Sequence, residues 1–257
     1  MDPKKITLII FSTLLILLIL IAIILLIILP KLISPSKRLS SCLSTFNNYF
    51  IINQQPIPNN GKYYNEFFKS YKYYGLRDFF YASSYKSYLP CGNTNDLVSY
   101  NALKYVLLKG ARVINLDIFY KGLFPFEDNA KIIVGNVIDN KLSFLPGTPE
   151  KLRYLEFASC LQLIKELAWV KTDAPLILYL NLEFLPNQKL EYQIFSQLSS
   201  ILPQFFLDKY YGFQRVNLGN IPINKASNRL IIVTNRKPID GFLNEITNGV
   251  LSSNSVN

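Results

Sequence analysis

The stretch ALKYVLLKGARVINLDIF, Ala102–Phe119, indicates the fold class because a helical pattern and an extended pattern meet in it at one glycine. The first part predicts a helix over about Val98–Lys109, preceded by the cap-like NTND and closed by Gly110. The apolar run Ala111–Phe119 then predicts a strand. A helix that leads after a short turn into a strand is typical of parallel β/α units.

The same alternation of short apolar runs and helical stretches continues on both sides of this stretch. It predicts further strands at Phe79–Ala82, Lys131–Gly135, Pro175–Phe184 and Arg229–Asn235, and helices within Tyr154–Val170 and over about Lys189–Leu202. The strand Pro175–Phe184 is apolar enough to be buried on both faces. We therefore predict an α/β fold with a parallel sheet, closed into a barrel or left open, whose functional residues lie at the carboxyl ends of the strands.

The N-terminus contains one long apolar run. Ile6–Leu29 comprises 24 uncharged residues, about 36 Å as a helix, which is enough to cross a bilayer of about 30 Å. A cleaved signal peptide is the alternative, but its apolar region is about 7 to 15 residues long and ends at small residues. We predict a retained transmembrane anchor within residues 1–30. Lysines flank the run on both sides, and the positive-inside rule weakly favours a cytosolic body.

Composition divides the rest of the chain into three parts. Residues 31–75 mix Pro, Ser, Asn and Gly with isolated apolar clusters and are interpreted as a stalk or linker. Residues 76–250 carry the strand and helix pattern, and residues 251–257 are a polar tail that we expect to be disordered. The many aromatic residues of Lys62–Gly75 would either face a membrane or cover one end of the sheet, and packing is the commoner fate.

The formal net charge is +10, with 27 basic residues, 17 acidic residues and no His. A basic body held at a membrane would be attracted to anionic lipid headgroups, which are candidate partners beside other proteins. The basic residues are scattered, without a dense run or a nucleic-acid motif, so nucleic acid is not an expected partner. Ordinary solvated lysines account for much of the charge. Three widely spaced Cys residues and the lack of any Asn-x-Ser/Thr sequence argue against a disulfide-bonded, glycosylated ectodomain.

Five segments follow one another in an order that occurs in one enzyme family. They are FFYASSYKSYL, ALKYVLLKGARVINLDIF, KIIVG, APLILYLNLEF and RLIIVTNRKP. Over roughly Arg77–Pro238 the chain resembles the X region of phosphatidylinositol-specific phospholipase C, a phosphodiesterase with a (β/α) barrel. The resemblance implies a phospholipase C-like TIM-type barrel. About 180 residues follow Leu76, against about 250 in a typical barrel, so we expect it to be trimmed or incomplete.

Within this family the chain is most similar in pattern to the divergent phospholipase C-like proteins of large DNA viruses. Its bias towards Asn, Lys, Ile and Tyr is compatible with such an AT-rich source. A viral or infected-cell membrane is therefore a candidate location.

The resemblance also implies that the catalytic residues are missing. Active members end the first strand in a Ser-Ser-His-Asn type motif and carry a second His after the third strand, and these imidazoles stabilise the reacting phosphate and protonate the leaving group. Tyr85 and Val134 stand at the two positions here, and no His elsewhere can replace them. Ser83 and Ser84 have only Lys86 nearby as a base, so a serine nucleophile is disfavoured.

The calcium site that the resemblance implies is incomplete as well. Active eukaryotic members use an Asn, a Glu, an Asp and a further Glu, and the matching positions hold Lys86, Asn115, Asp117 and Asn181. We therefore expect no metal and no other cofactor, and an ion pair between Lys86 and Asp117. Asp117 would either remain a pocket residue or cap the next loop. Glu183 would either be a displaced acid on the same face as Asn181 or a solvated loop residue.

Basic residues on a late strand bind the headgroup phosphates in this family. The corresponding positions are Thr234 and Arg236, with Lys237 next to them. Arg236 would either hold a phosphate through two hydrogen bonds or be exposed without a ligand.

Two hypotheses follow from these residues. The preferred one is a membrane-anchored, catalytically inactive phospholipase C-like protein that binds lipid headgroups or serves as a structural scaffold. The alternative is a phosphodiesterase that acts on phosphoinositides with a His-free site made of Lys86, Asp117, Glu183 and Arg236.

Overall fold

A computed structural model of the chain describes residues 11–24, 37, 39–41, 43–44, 71, 73–90, 97–122, 130–138, 141–144, 148–212 and 216–251. The chain divides into two compact units, Met1–Ser41 and Cys42–Asn257. In the first unit, residues 11–24 are helical and form the middle of the predicted anchor, whose two ends lie outside the described residues. No helix in the described part of the chain is both long and apolar enough to cross a bilayer. Most of the predicted stalk, the cap-like NTND and all of the predicted tail except Leu251 also lie outside the described residues.

The second unit is built on a mixed sheet of seven strands and a separate two-stranded hairpin. The strands are β1 (Ser83–Ser84), β2 (Val113–Lys121), β3 (Lys131–Gly135), β4 (Val137–Ile138), β5 (Lys141–Leu142), β6 (Tyr154–Glu156), β7 (Leu176–Leu182), β8 (Leu230–Thr234) and β9 (Gly249–Val250). The order across the sheet is β6-β3-β2-β7-β8-β9, and β1 pairs with the start of β2. Strands β4 and β5 form the hairpin.

The predicted all-parallel sheet is wrong at one edge. Strands β1, β2, β7, β8 and β9 are parallel, but β3 runs antiparallel to β2, and β6 runs antiparallel to β3. Only nine residues, 122–130, separate β2 from β3, whereas a parallel crossover needs about a dozen or more. Among the described residues the sheet is open, since β6 and β9 are its two ends and do not pair with each other.

The helices of this unit are α1 (Tyr100–Leu108), α2 (Phe157–Leu167), α3 (Gln188–Ile201), α4 (Ile223–Ala226) and α5 (Gly241–Ile246). Short 3-10 turns occupy Leu76–Asp78, Glu150–Leu152, Pro203–Phe205, Lys209–Tyr211 and Leu218–Asn220. Side chains cap three of the helices: Ser99 accepts from Asn101 N, Asn187 from Leu190 N, and Asp240 from Leu243 N.

Several predicted elements are confirmed and others shift by a few residues. Strand β3 has the predicted bounds, and Gly110 follows α1 with a φ of 90°, a conformation that favours glycine. The first strand lies at Ser83–Ser84 instead of Phe79–Ala82. The segment predicted as one helix, Tyr154–Val170, begins with β6, because its first three residues pair with the end of β3.

Each face of the sheet packs against its own hydrophobic cluster. Alternate residues such as Leu116 and Leu180 face the helices, where Phe157 and Leu198 are buried with them. The other face carries Ile177 and the residues that alternate with it, which pack against a second cluster that includes Leu76, Ile221, Ile223, Ile231 and Val233. Burial along β7 therefore alternates, so the expectation of a strand buried on both faces is wrong for the second face. This second face, called the inner face below, carries the polar residues of the candidate site.

Candidate functional site

Asp117 lies at the centre of a polar cluster on the inner face. The register of β2 with β7 places it beside Asn181, whose Nδ2 donates to Asp117 Oδ1 at 3.1 Å. On the other oxygen, Oδ2, it has Lys86 Nζ at 3.3 Å and the Tyr88 hydroxyl at 2.7 Å. The predicted ion pair between Lys86 and Asp117 is thus present, and the fully buried carboxylate is compensated by one cation and two hydrogen-bond donors.

Lys86 is held in position through both its backbone and its side chain. Its φ of 45° lies in the left-handed region, which residues other than glycine adopt rarely. Its backbone N–H donates to Asn115 Oδ1 at 2.9 Å, and its Nζ donates to Asn136 Oδ1 at 2.6 Å. The side chain is only 14% exposed, so the ammonium group is enclosed by oxygen atoms of the protein.

The turn that carries Lys86 is attached to β2 by its neighbour Ser87. The hydroxyl of Ser87 donates to Ser84 O at 2.9 Å and accepts from Asn115 N at 3.1 Å. The Ser87 N–H donates to Asn115 O at 3.1 Å. These bonds explain how a short strand of two residues can position the Lys86 turn over the sheet.

Tyr88 belongs to the cluster, although the sequence did not identify it. Its ring is fully buried, and its hydroxyl lies between Asp117 Oδ2, at 2.7 Å, and the carbonyl of Gly135, at 2.9 Å. Burial, reinforced by the charge of Asp117, raises the pKa of Tyr88 well above its ordinary value. The hydroxyl therefore remains a donor and does not serve as a base. No pattern in the sequence distinguished Tyr88 from the other tyrosines.

Glu183 joins the cluster one residue beyond the end of β7. Its backbone N–H donates to Ile118 O at 2.9 Å, so the strand pairing continues and the side chain stays on the face of Asn181. Asn181 Nδ2 donates to Glu183 Oε1 at 2.5 Å. Burial raises the pKa of Glu183, and the nearby charge of Asp117 adds to this effect. Glu183 therefore lies on the same face as Asn181, as the displaced-acid interpretation requires, and it is not a solvated loop residue.

Two buried amide groups of the cluster have an unused donor. Asn115 Nδ2 and Asn136 Nδ2 have no hydrogen-bond partner among the described residues. Both side chains are oriented by Lys86, because Asn115 Oδ1 accepts from its N–H and Asn136 Oδ1 accepts from its Nζ. The unused N–H groups can donate to the oxygen atoms of a bound ligand or to water.

Arg236, which the sequence predicts as a headgroup-binding residue, is not part of the Asp117 cluster and is paired within the protein. Its Nη1 binds Glu191 Oε1 at 2.5 Å, and its Nη2 donates to Phe184 O at 3.4 Å. Glu191 is a fully buried residue of α3 that the sequence did not identify, and its other oxygen accepts from the N–H groups of Ile239 and Asp240. The alternative of an exposed Arg236 without a partner is wrong, because its guanidinium binds Glu191 and thereby connects the loop after β8 to α3.

The strand alternation explains this placement. Val233 pairs with Tyr179 and packs in the inner-face cluster, so the next residue, Thr234, faces the helices. Thr234 is fully buried and donates to Arg236 O at 2.8 Å, and Lys237 is exposed. None of the three predicted headgroup residues therefore contacts the Asp117 cluster.

The two positions where active members carry an imidazole differ in environment. Tyr85 is 77% exposed, and the Lys86 ammonium lies 5.8 Å from its ring centroid. Val134 is fully buried in the core on the helix side of the sheet. Neither position carries an imidazole in this chain.

The residues of the cluster do not fit a calcium ion. Calcium takes six to eight oxygen ligands, several of them charged. Here the oxygens of Asp117 are already met by Lys86, Tyr88 and Asn181. Within the described ranges, no group of three or more His, Cys, Asp or Glu residues is arranged to hold a metal.

An apolar groove of about 520 Å³ lies on the inner face. Its wall includes Tyr179, a neighbour of Asn181 on β7. The residues that line it are Val113, Ile177, Tyr179, Val216, Asn217, Leu218, Val233, Asn248, Gly249, Val250 and Leu251.

The family model of the phosphatidylinositol-specific phospholipase C X domain matches residues 74–237. The chain belongs to this family. The match contains the Lys86 turn, β2, β3, β7 and β8, so the whole Asp117 cluster lies within the X domain. No curated protein matches the chain.

Among the solved structures that match the chain are the following three, each with a TM-score below 0.5. PLC21 of S. officinalis has a TM-score of 0.47 at 18% identity, over 63% of this chain and 19% of that chain. The phosphatidylinositol-specific phospholipase C of Listeria monocytogenes has a TM-score of 0.40 at 16% identity, over 63% and 53% of the two chains. The calcium-dependent phosphoinositol-specific phospholipase C of a Pseudomonas species has a TM-score of 0.42 at 10% identity, over 65% of this chain and 59% of that chain. This chain thus spans about a fifth of the first of these proteins and between half and two thirds of the other two.

Proposed function

We propose that this X-domain protein is a catalytically inactive phospholipase C-like protein that binds lipid headgroups or acts as a scaffold at a membrane. The observation that carries the proposal is the Lys86–Asp117 ion pair in the middle of the inner-face cluster. Cleavage of a phosphodiester needs one group to accept a proton from the attacking hydroxyl and another to protonate the leaving oxygen. The chain has no His, and the ion pair engages Asp117 with Lys86.

The membrane part of the proposal rests on the sequence. The apolar run Ile6–Leu29 would anchor the chain in a bilayer, and the net charge of +10 would favour anionic headgroups near the body. A viral or infected-cell membrane with a cytosolic body is the proposed location, supported by the pattern of the X-domain segments and the composition.

The headgroup part rests on the donors of the cluster. Lys86 Nζ and the unused amide groups of Asn115 and Asn136 are candidate donors to the oxygen atoms of a headgroup. Arg236 is withdrawn from this role because it binds Glu191.

A His-free phosphodiesterase is the second candidate, and Glu183 is the observation that favours it. Burial raises the pKa of this carboxyl, as is common for catalytic acids. The carboxylates of Glu183 and Asp117 both accept from Asn181 Nδ2. Glu183 would be the acid and Asp117 the base, with Lys86 holding the phosphate.

The two candidates are separated with the full-length protein in a neutral detergent, incubated with micelles that contain phosphatidylinositol. The inactive protein is expected to release no inositol phosphate above the buffer blank. Release that Asp117→Asn and Glu183→Gln both abolish would establish the phosphodiesterase instead. Binding is measured separately, as a shift in the melting temperature with soluble inositol phosphates against phosphoserine. A shift for inositol phosphates alone supports headgroup binding, and no shift with either leaves the scaffold role.

A further inference from the structure

We propose that the ammonium group of Lys86 is a built-in substitute for a divalent cation, so that the Asp117 cluster excludes calcium while keeping the acidic residues that would bind it. This inference deepens the proposed function. The exclusion of calcium is argued from the contacts of Lys86, and only the biological role of the site rests on the proposed function. It concerns a single residue that determines which ion the cluster accepts.

The surroundings of the ammonium group resemble those of a metal ion. Lys86 Nζ lies 3.3 Å from the carboxylate of Asp117 and 2.6 Å from the amide oxygen of Asn136. Its charge also lowers the pKa of the Glu183 carboxyl, although burial and Asp117 outweigh this effect. Carboxylate and amide oxygens are the ligands that calcium prefers, and here an ammonium group occupies the space among them.

The charge of the cluster depends on Lys86. Asp117 and Glu183 both contact the amide group of Asn181, and Lys86 is the cation in contact with Asp117. Without that ammonium group, the carboxylates of Asp117 and Glu183 would lie close together with no positive charge to compensate them, which is unfavourable. A divalent cation would relieve this repulsion, and Asn136 Oδ1, which accepts from Lys86 Nζ at 2.6 Å, would be a further ligand.

The backbone supports the same inference. Lys86 has a φ of 45°, a left-handed conformation that strains a lysine and that Asn adopts several times more readily. The turn is therefore suited to an Asn, yet it carries a residue whose long side chain reaches Asp117. The contacts of the ammonium group offset the strain.

The test uses the full-length chain in a neutral detergent. Lys86→Asn removes the cation and adds an amide oxygen in a backbone conformation that Asn favours. With two carboxylates the new site is expected to bind calcium weakly, with a Kd of about 1 mM. At about 10 mM calcium the melting temperature of this variant should rise by ~3 °C, and terbium luminescence, sensitised by the nearby Tyr88 and Tyr179, should appear. The wild-type protein should show neither change.

Lys86→Arg is the matched control because it keeps the positive charge, and it should behave like the wild-type protein. The double variant Lys86→Asn/Asp117→Asn should lose both signals. Lys86→Met serves as a second cation-free variant. If both cation-free variants unfold without metal, recovery of folded protein in calcium supports the proposal, and failure to recover overturns it.

Two results contradict the proposal directly. One is a calcium-dependent rise in the melting temperature of the wild-type protein that Asp117→Asn removes. The other is a folded Lys86→Asn protein that responds to neither calcium nor terbium. Both readouts report metal binding alone, so the release of inositol phosphate would overturn the proposed function without affecting this result.

Discussion

At the scale of single residues, the cluster is organised by one buried charge. Asp117 is fully buried, and each of its oxygens faces donors that come from a different part of the chain: Lys86 and Tyr88 on one side, Asn181 on the other. A buried charge is stable only when it is compensated in this way. The donors therefore contribute to stability whether or not a ligand binds, and the contribution of each can be measured.

Tyr88→Phe should lower the free energy of unfolding by about 1 to 2 kcal/mol. The substitution keeps the buried ring but removes the hydroxyl, whose single hydrogen is within reach of both Asp117 Oδ2 and the carbonyl of Gly135. Urea unfolding at pH 7 measures the change. Tyr85→Phe is the matched control, since Tyr85 is 77% exposed, and it should be neutral within about 0.5 kcal/mol. Equal stability of the two variants would show that the Tyr88 hydroxyl contributes nothing.

Glu183→Gln should stabilise the protein at neutral pH, and the gain should shrink as the pH falls. Burial raises the pKa of Glu183 in the folded state. At a pH between the pKa of the unfolded state and that of the folded state, the folded state binds more protons. The stability that protonation contributes is therefore present at low pH and is lost as the pH rises through the folded pKa. Because Gln does not ionise, the variant does not lose this stability at neutral pH.

The measurement is the unfolding free energy of both proteins between pH 4 and pH 8. Glu245→Gln, at an exposed position of α5, is the control and should show no such trend. A gain for Glu183→Gln that grows towards low pH would contradict the raised pKa.

At the scale of elements, the loop after β8 is attached to α3 by one buried carboxylate. Glu191 accepts from Arg236 Nη1 and from two backbone N–H groups, those of Ile239 and Asp240. Asp240 in turn caps α5 through Leu243 N. The position of α5 therefore depends on a residue more than forty positions earlier in the chain.

Glu191→Gln should destabilise the protein by about 2 kcal/mol. Breaking a buried ion pair costs about 3 to 5 kcal/mol, but the Arg236 side chain is 22% exposed and can partly turn to water. The melting temperature and urea unfolding report the loss. Adding Arg236→Leu to Glu191→Gln should recover part of it, because no unpaired charge is left and the amide oxygen of Gln can still accept from the N–H groups of Ile239 and Asp240. A double variant less stable than Glu191→Gln would contradict this account.

At the scale of the whole molecule, the second unit consists of an open sheet with a separate hydrophobic cluster on each face. The helix side is the larger cluster and contains Cys160 of α2, which is fully buried. Burial raises the pKa of its thiol well above the ordinary value. This thiol is therefore a probe of how the whole unit opens.

Cys160 should react with a thiol reagent only when the unit unfolds. In a variant with Cys42→Ser and Cys91→Ser, labelling in native buffer should be at least about 100-fold slower than in denaturant, because the reactive thiolate is both disfavoured and shielded. Mass spectrometry over time measures the rate. Labelling at the rate seen in denaturant would show that the core around α2 opens locally.

Most of the elements and the lack of His follow from the amino-acid sequence alone. The spacing of apolar residues predicted β3 with its observed bounds and α3 within one residue at each end, because such periodicity depends on neighbouring residues alone. The family motifs predicted one site for Lys86, Asn115, Asp117, Asn181 and Glu183, and hydrogen bonds and an ion pair join these residues in one polar cluster. The lack of any imidazole is a matter of composition, so it holds whatever the fold.

Which polar groups meet depends instead on the tertiary structure. Tyr88 and Asp117 are 29 positions apart, and Arg236 and Glu191 are 45 apart, so no local pattern marks either pair. Strand direction and register determine such contacts. They turn Thr234 towards the helices and bring Arg236 to Glu191 of α3. They also bring Asn136, at the end of an antiparallel strand, to Lys86. Hydrophobic periodicity is a local property of the chain, whereas the pairing of buried charges depends on how distant segments pack.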